Sequence, residues 1–135
     1  MKKTNVLLLL TPRISLVCLE EDMNVRQAYE KMRAHGFMAV PLISKGGEYI
    51  GTISEGDILH CMVNYDKKLN ELNNVSVMEI LRKEYTPAVS YDADISEILE
   101  MVMRQNFVPV VDDRNILMGI VTRQAILKEL TKEDD

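Results

Sequence analysis

Residues 36–43, GFMAVPLI, and residues 106–111, NFVPVV, decide the fold, because one short pattern occurs twice in a chain of 135 residues. Each stretch begins with Gly or Asn, the residue types that most readily end a helix in the left-handed conformation, and continues as an apolar strand. Each is followed by a polar turn and a second apolar stretch, YIGTIS at 49–54 and LMGIVT at 117–122. A repeat of this kind predicts two copies of one supersecondary unit.

An amphipathic helix is predicted before each of these strands. Asn24 stands three positions before Gln27, and Asp94 stands three positions before Glu97, so both helices begin with a capping-box pattern. The apolar residues then follow at i, i+3, i+4 and i+7, which is the spacing of one helix face. They are Val25, Ala28, Tyr29 and Met32 in the first copy and Ile95, Ile98, Leu99 and Val102 in the second.

Extended runs at Ile14–Leu19 and Ala88–Tyr91 open the two copies, and Ser54 and Thr122 are predicted to cap the helices that close them. Each copy therefore has the order β-α-β-β-α. The expected fold class is α+β (mixed α/β), with the two repeats packed as a pseudo-twofold sandwich that has two equivalent clefts. The whole chain, 1–135, is expected to form one module, with repeat 1 at 11–62, a linker and short helix at 63–80, and repeat 2 at 81–132.

Composition excludes several classes of function. The formal charge of −5 and the absence of a basic stripe argue against nucleic-acid binding. The apolar start, Val6 to Leu10, is too short for a signal peptide or a membrane span, so a cytoplasmic protein without membrane association is expected. The sequence has no Ser-His-acid set, no Walker-type glycine loop and no Cys/His cluster, which predicts a protein that is not an enzyme and has no metal or cofactor.

The segment Gly36 to Pro41, followed by Gly51 to Asp57, resembles the motif of the cystathionine-β-synthase (CBS) domain. Asn106 to Val111, followed by Gly119 to Arg123, is similar to a second copy, and the tandem resembles a Bateman module. Within that family the chain is most similar to small stand-alone proteins of Gram-positive bacteria that bind cyclic di-AMP. The resemblance implies that each cleft combines the opening strand of one repeat with the strand and closing-helix start of the other.

The preferred cleft is the one that contains two arginines. Thr122 is predicted to cap a helix whose free amides suit a phosphate, Arg123 stands in its first turn, and Arg13 precedes the opposing strand. Arginine binds phosphate in a bidentate manner, and the surrounding apolar residues would enclose an adenine. The expected ligand residues are Arg13, Ile14, Ser15, Leu16, Asn106, Phe107, Val108, Thr122 and Arg123.

The second cleft has a different chemical character. Ser54-x-x-Asp57 fits the motif that holds ribose hydroxyls in the family, whereas Ala125 replaces the aspartate in the second copy. Glu55 stands where the second copy has Arg123, and like charges there disfavour a phosphate. The expected ligand residues of the second cleft are Phe37, Met38, Ala39, Val40, Pro41, Ser54, Asp57, Thr86, Pro87, Ala88 and Val89. Two local interpretations stay open: Ser54 with Asp57 as a helix cap alone, and the arginines as solvated surface charges.

The leading functional hypothesis is a regulatory sensor that binds cyclic di-AMP between the repeats and modulates a cytoplasmic protein partner. One alternative is an energy sensor for AMP, ADP or ATP, for which Asp57 is the best support. Another is a dimeric interaction scaffold that binds no ligand. Homodimerisation is expected in each case, because helix packing between two modules would bury the remaining apolar faces.

Overall fold

The computed structural model describes residues 4–82 and 86–133. The chain forms two compact units. The repeat-one unit comprises residues 17–82, and the repeat-two unit comprises residues 4–16 together with residues 86–133. Within these described residues, every helix is too short or too polar to cross a membrane.

The fold is mixed α/β, with seven strands and four α-helices among the described residues. The strands are β1 (Thr11–Pro12), β2 (Leu19–Glu20), β3 (Ala39–Ile43), β4 (Tyr49–Ser54), β5 (Val89–Ser90), β6 (Phe107–Val111) and β7 (Leu117–Thr122). The helices are α1 (Val25–His35), α2 (Glu55–Tyr65), α3 (Ile95–Ile98) and α4 (Arg123–Glu133). Short 3₁₀ helices occur at Val6–Leu9, Arg13–Ser15, Leu69–Glu71, Val77–Ile80 and Met101–Met103. This is the β-α-β-β-α order that the repeat predicts.

The repeat-one unit contains a three-stranded sheet in the order β2-β3-β4. Strand β2 runs parallel to β3, and β3 pairs with β4 as an antiparallel hairpin. Leu19, Met32, Leu42 and Ile53 are fully buried in its core. Leu72 belongs to the same core, so the segment after α2 packs as part of this unit.

The repeat-two unit contains a four-stranded sheet in the order β1-β7-β6-β5. Its inner part repeats the first sheet, with β5 parallel to β6 and a β6–β7 hairpin. Strand β1 adds an antiparallel edge, with Thr11 opposite Ile120 and Pro12 opposite Gly119. The preceding residues are held against α3, because the Thr4 amide donates to Asp94 Oδ1 at 2.7 Å.

The predicted helix caps are confirmed. Capping boxes join Asn24 to Gln27 and Asp94 to Glu97, so the first-turn amides of α1 and α3 have acceptors. Gly36 ends α1 in the left-handed conformation at φ 72°. These signals act within one helical turn, which is why the sequence is sufficient to predict them.

The predicted extended run at Ile14–Leu19 is wrong over much of its length. The chain forms β1, then a 3₁₀ turn at Arg13–Ser15, and resumes as β2 only at Leu19. The turn closes because the Leu16 amide donates to the Arg13 carbonyl at 2.9 Å. The second predicted run, Ala88–Tyr91, is shorter than expected, at Val89–Ser90.

The second amphipathic helix also differs from its prediction. The apolar spacing predicts a helix through Val102, but α3 ends at Ile98 and a 3₁₀ helix follows at Met101–Met103. Asn106 was expected to adopt the left-handed conformation, and it does not, since Asp66 and Asn115 are the described non-glycine residues with positive φ. Asparagine adopts the left-handed conformation less readily than glycine does. The helical segment before Asn106 therefore ends without a left-handed residue.

Gly119 lies where two strands approach unusually closely. A Cβ atom at this position would lie 2.2 Å from the Thr11 carbonyl oxygen, which belongs to the backbone of β1. The corresponding glycine of repeat one, Gly51, faces the Leu81 side chain instead, 2.6 Å from Cδ1. A backbone atom cannot rotate away as a leucine methyl group does, so Gly119 is the more restrictive position.

We expect Gly119→Ala to lower the free energy of unfolding by about 2–3 kcal/mol, because the new methyl group must displace β1 from β7. Gly46→Ala is the matched control, because a Cβ there meets its nearest neighbours at an ordinary 3.8 Å. Urea unfolding of both variants measures the difference. Equal stabilities for the two variants would show that β1 does not pack against β7.

The buried phenol of Tyr49 makes the stability of the repeat-one unit depend on pH. Tyr49 is 9% exposed, and its hydroxyl lies 2.8 Å from Thr52 Oγ1. Burial raises the pKa of Tyr49 to about 12, although the hydrogen bond to Thr52 acts in the opposite direction. The folded state therefore favours the neutral phenol, and the unfolded chain releases its proton near the ordinary pKa of about 10.

We expect this contribution to be fully present below pH 10 and to be lost as the pH rises from about 10 to 12, by at most about 2–3 kcal/mol. The measurement is urea unfolding of wild type and Tyr49→Phe across this range. Their difference in stability should shift in favour of the variant as the pH rises. Tyr91→Phe, which removes an exposed phenol, serves as the control. A difference that stays constant from pH 9 to pH 12 would contradict the burial of the neutral phenol.

Candidate functional site

The start of α4 brings Thr122 and Arg123 together at the end of β7. Thr122 Oγ1 accepts the Ala125 amide at 3.1 Å, which confirms the predicted cap. The Arg123 amide donates to the Asn106 carbonyl at 2.9 Å, and its Nε donates to the Val102 carbonyl at 2.5 Å. The first turn of α4 contains no acidic residue. A cation at a helix N-terminus is opposed by the helix dipole, so an anion bound here would relieve both charges.

Gln105 links the segment before β5 to the first residue of β6. Its Nε2 atom donates to the Phe107 carbonyl at 2.9 Å and approaches the Pro87 carbonyl at 3.4 Å. We call Gln105, Asn106, Phe107, Thr122 and Arg123 the α4 cluster. The structure therefore brings Pro87, which was expected to belong to the second cleft, to the edge of this cluster.

The opening segment Arg13–Leu16 belongs to the same unit, and its 3₁₀ turn contacts β7. The antiparallel register places Pro12 opposite Gly119, so the chain that follows runs toward the start of β7 rather than toward Thr122. Arg13 and Ser15 are exposed, and Ile14 is 94% exposed. Such a large apolar side chain in water is available to contact a ligand base.

Strand β6 presents the remaining expected residues in different ways. Phe107 is 8% exposed, and Val108 is fully buried in the core. Asn106 is exposed and lies just before the strand, where its carbonyl holds the Arg123 amide. The Val108 side chain therefore serves the core, and the face that a ligand can reach consists of Asn106 and the residues at the α4 start.

The start of α2 has the same backbone arrangement with different charges. Ser54 Oγ accepts the Asp57 amide at 3.2 Å, while Asp57 Oδ2 accepts the Ser54 amide at 2.8 Å and its hydroxyl at 2.9 Å. Asp57 Oδ1 lies 2.6 Å from Arg82 Nε in an ion pair that buries the carboxylate and leaves the Arg82 side chain 53% exposed. The expectation that only like charges surround this helix start is therefore incomplete, because Arg82 supplies a cation next to Asp57.

The other expected residues of the second cleft are distributed over the two units. Phe37 and Met38 are exposed just before β3, and Val40 and Pro41 are buried within it. Ala39 is partly buried, and the Met38 carbonyl holds the Glu55 amide at 2.9 Å. The segment Thr86–Val89 belongs to the repeat-two unit, where β5 pairs Val89 with Val110.

A groove of about 680 Å³ lies beside Asp57 in the repeat-one unit. Its walls come from α2 and from the segment that ends at Arg82, and they include both partners of the ion pair. Burial and the nearby Glu79 carboxylate raise the pKa of the Cys61 thiol, which also lines the groove. The lining residues are Gly56, Asp57, His60, Cys61, Asn64, Tyr65, Glu79, Ile80, Leu81 and Arg82.

Sequence reasoning missed two residues of these sites, Arg82 and Gln105. Arg82 lies after a 3₁₀ helix with no motif around it, and its partner Asp57 is distant in the sequence. Gln105 directly precedes the helix-stop position that the repeat identified, so its place next to Asn106 was the available signal.

Comparison with known proteins identifies the domain family of this sequence. The sequence matches the CBS domain family over residues 10–64 and 77–132. It is 31% identical over 100 residues to the uncharacterized protein MK0525 of Methanopyrus kandleri, covering 73% of this chain and 49% of that protein. The chain thus spans about half the length of that relative.

Two further similarities concern proteins with a known ligand. The chain is 26% identical over 110 residues to cyclic di-AMP receptor B of Bacillus subtilis, covering 81% of this chain and 74% of the receptor. A crystal structure of CbpB in complex with c-di-AMP superposes with a TM-score of 0.85 and 26% identity, covering 96% of this chain and 85% of that one. The two family matches together span most of the sequence, and this chain therefore belongs to the CBS domain family and contains two copies of the domain.

Proposed function

We propose that this chain is a regulatory sensor that binds cyclic di-AMP at the α4 cluster and thereby modulates a protein partner. The observation that carries the proposal is the basic helix start. Thr122 caps α4, Arg123 stands in a first turn without acidic residues, and the two Nη atoms of Arg123 make no hydrogen bond to any described residue. A phosphodiester supplies the anion that this arrangement favours.

The similarity to c-di-AMP proteins supports the choice of ligand. Both CbpB, crystallised with c-di-AMP, and cyclic di-AMP receptor B share about a quarter of their aligned residues with this chain. The alignment covers 74% of the length of the receptor, and by analogy with it we propose a binding role for this chain. In our proposal this chain forms a homodimer in the cytoplasm.

The chemistry of binding divides between charge and apolar contact. The Nη atoms of Arg123 would hold phosphate oxygens. Arg13 and Ile14 lie toward the start of β7, so they would contact only a ligand that extends from the α4 cluster along that strand, Arg13 as a second cation and the 94% exposed Ile14 against an adenine face. Ala125 leaves this helix start without the carboxylate that its counterpart has, so a ligand held through its phosphates suits this site better than one held through ribose hydroxyls.

An AMP, ADP or ATP sensor is the second candidate, and it rests on Asp57 beside the groove in the repeat-one unit. The Asp57 carboxylate already accepts hydrogen bonds from Ser54 and pairs with Arg82. A ribose would therefore have to displace one of these partners. This competition makes the mononucleotide the weaker candidate, since a displaced buried carboxylate bond costs about 1.5–3 kcal/mol.

We expect Arg123→Ala to weaken c-di-AMP binding at least tenfold, which corresponds to about 1.4 kcal/mol. The substitution removes the phosphate donor at the start of α4. Isothermal titration of wild type and variant with c-di-AMP measures the effect.

Arg114→Ala is the matched control for that titration. Arg114 is an exposed arginine in the β6–β7 turn of the same unit, so its loss changes the net charge equally. The c-di-AMP affinity of Arg114→Ala should stay within about twofold of wild type, well below the tenfold change that corresponds to about 1.4 kcal/mol. Absence of c-di-AMP binding to wild type would overturn the proposal, and saturable binding of AMP or ATP alone would favour the second candidate. If no nucleotide binds and the protein still dimerises and engages a partner, it acts as a scaffold.

We expect Asp57→Asn to weaken any AMP binding at least tenfold, about 1.4 kcal/mol, while c-di-AMP affinity stays within about twofold. The amide keeps the shape of the side chain and one acceptor but loses the charge that pairs with Arg82. Titration of the variant with each nucleotide checks this, with circular dichroism to confirm folding. An equal loss for both nucleotides would show that they share one site.

A further inference from the structure

Residues 76–82 of the repeat-one unit and residues 5–11 of the repeat-two unit have equivalent places in their units. Each segment begins with a polar cap, Ser76 or Asn5, followed by a 3₁₀ helix of 4 residues. Each cap residue also forms a β-bridge to the residue that caps the first α-helix of its own unit. The two segments can therefore be matched residue by residue by counting from these caps.

The matched segments differ in the residue that follows the 3₁₀ helix by two positions. Arg82 stands there in the repeat-one unit, and Thr11 stands there in the repeat-two unit. By the same counting from the caps of α2 and α4, Asp57 corresponds to Ala125. The repeat-one unit thus has both members of an ion pair, and the repeat-two unit has neither. Since the second unit folds without the pair, this architecture does not require it.

Asp57 has a protein donor on each of its carboxylate oxygens. Oδ2 accepts the Ser54 amide at 2.8 Å and the Ser54 hydroxyl at 2.9 Å. Oδ1 lies 2.6 Å from Arg82 Nε, and the Asp57 side chain is only 4% exposed. Both members of the ion pair line the groove of about 680 Å³. A ligand hydroxyl in this groove can therefore bind the carboxylate only when one of these donors leaves.

Arg82 is the donor that leaves at the lower cost. Ser54 belongs to the capping box of α2, so its departure would remove the acceptor of an amide at the helix start. The Arg82 side chain is 53% exposed, so water can solvate its guanidinium after it moves. The bond that breaks is still charge-assisted, and such bonds are stronger than those between neutral groups. Arg82 therefore controls access to the carboxylate.

We propose that Arg82 is a specificity-determining residue that keeps Asp57 closed to neutral hydroxyl-bearing ligands such as nucleosides. The groove has the volume of an ordinary small-molecule pocket, so the covered carboxylate, rather than a lack of space, limits binding there. The inference rests on the proposed function, because a closed Asp57 leaves the α4 cluster as the nucleotide site of the chain. Removal of Arg82 should accordingly create affinity rather than destroy it.

Adenosine is the probe, because it has ribose hydroxyls and no phosphate with which an arginine could pair. We expect Arg82→Ala to raise the affinity for adenosine at least tenfold in isothermal titration, which corresponds to about 1.4 kcal/mol. Adding Asp57→Asn to this variant should abolish the gain, because the uncovered carboxylate is then absent. Arg33→Ala is the matched control, since Arg33 lies in the same unit and its guanidinium bonds the Tyr29 hydroxyl. Its adenosine affinity should equal that of wild type.

Arg82→Lys keeps a cation beside Asp57 and should bind adenosine as weakly as wild type does. Circular dichroism checks that each variant is folded, and Arg82→Gln, which also removes the charge, replaces Arg82→Ala if that variant is unfolded. Unchanged or lower adenosine affinity in a folded variant without the Arg82 charge would overturn the inference. Titration with c-di-AMP separates it from the proposed function. Absence of c-di-AMP binding to wild type would overturn that function, while the adenosine comparison would still decide whether Arg82 closes Asp57.

Discussion

The close approach of β1 to β7 is the constraint on which the repeat-two unit depends. The Thr11 carbonyl oxygen lies where a side chain at position 119 would begin, so only glycine lets the first segment of the chain form the edge of this sheet. Residues 4–16 thereby join the unit built from repeat two, although they precede repeat one in the sequence. Repeat one receives a corresponding segment, because Leu81 packs against Gly51. Each unit is thus completed by the segment that precedes the other repeat.

On this common framework the two repeats have diverged in charge. The first turn of α2 carries Glu55 and Asp57, which complement the helix dipole without any ligand, and Arg82 neutralises the buried carboxylate. The first turn of α4 carries Arg123, which opposes the dipole. One helix start is therefore internally satisfied, and the other gains from an added anion.

Arg123 also shows how a candidate binding residue can be part of the fold. The Arg123 amide bonds Asn106, just before β6, and the Arg123 Nε atom bonds Val102 in the 3₁₀ helix at Met101–Met103. Since Arg123 is also the first residue of α4, it connects these three elements. A side chain with structural partners is preorganised for a ligand, which lowers the entropic cost of binding.

The sequence by itself determined the features that depend on neighbours within a few residues. The β-α-β-β-α order, the capping boxes, the left-handed Gly36 and the caps at Ser54 and Thr122 follow from patterns no longer than a helical turn or a strand. Tertiary structure decided the rest. Arg82 reaches Asp57, and Arg123 reaches Val102 across 21 positions, only because the fold brings separate elements together. It also buried Phe107 and left Ile14 in water. Contacts of this kind depend on which segments share a core, and that is a property of the folded chain rather than of any local pattern.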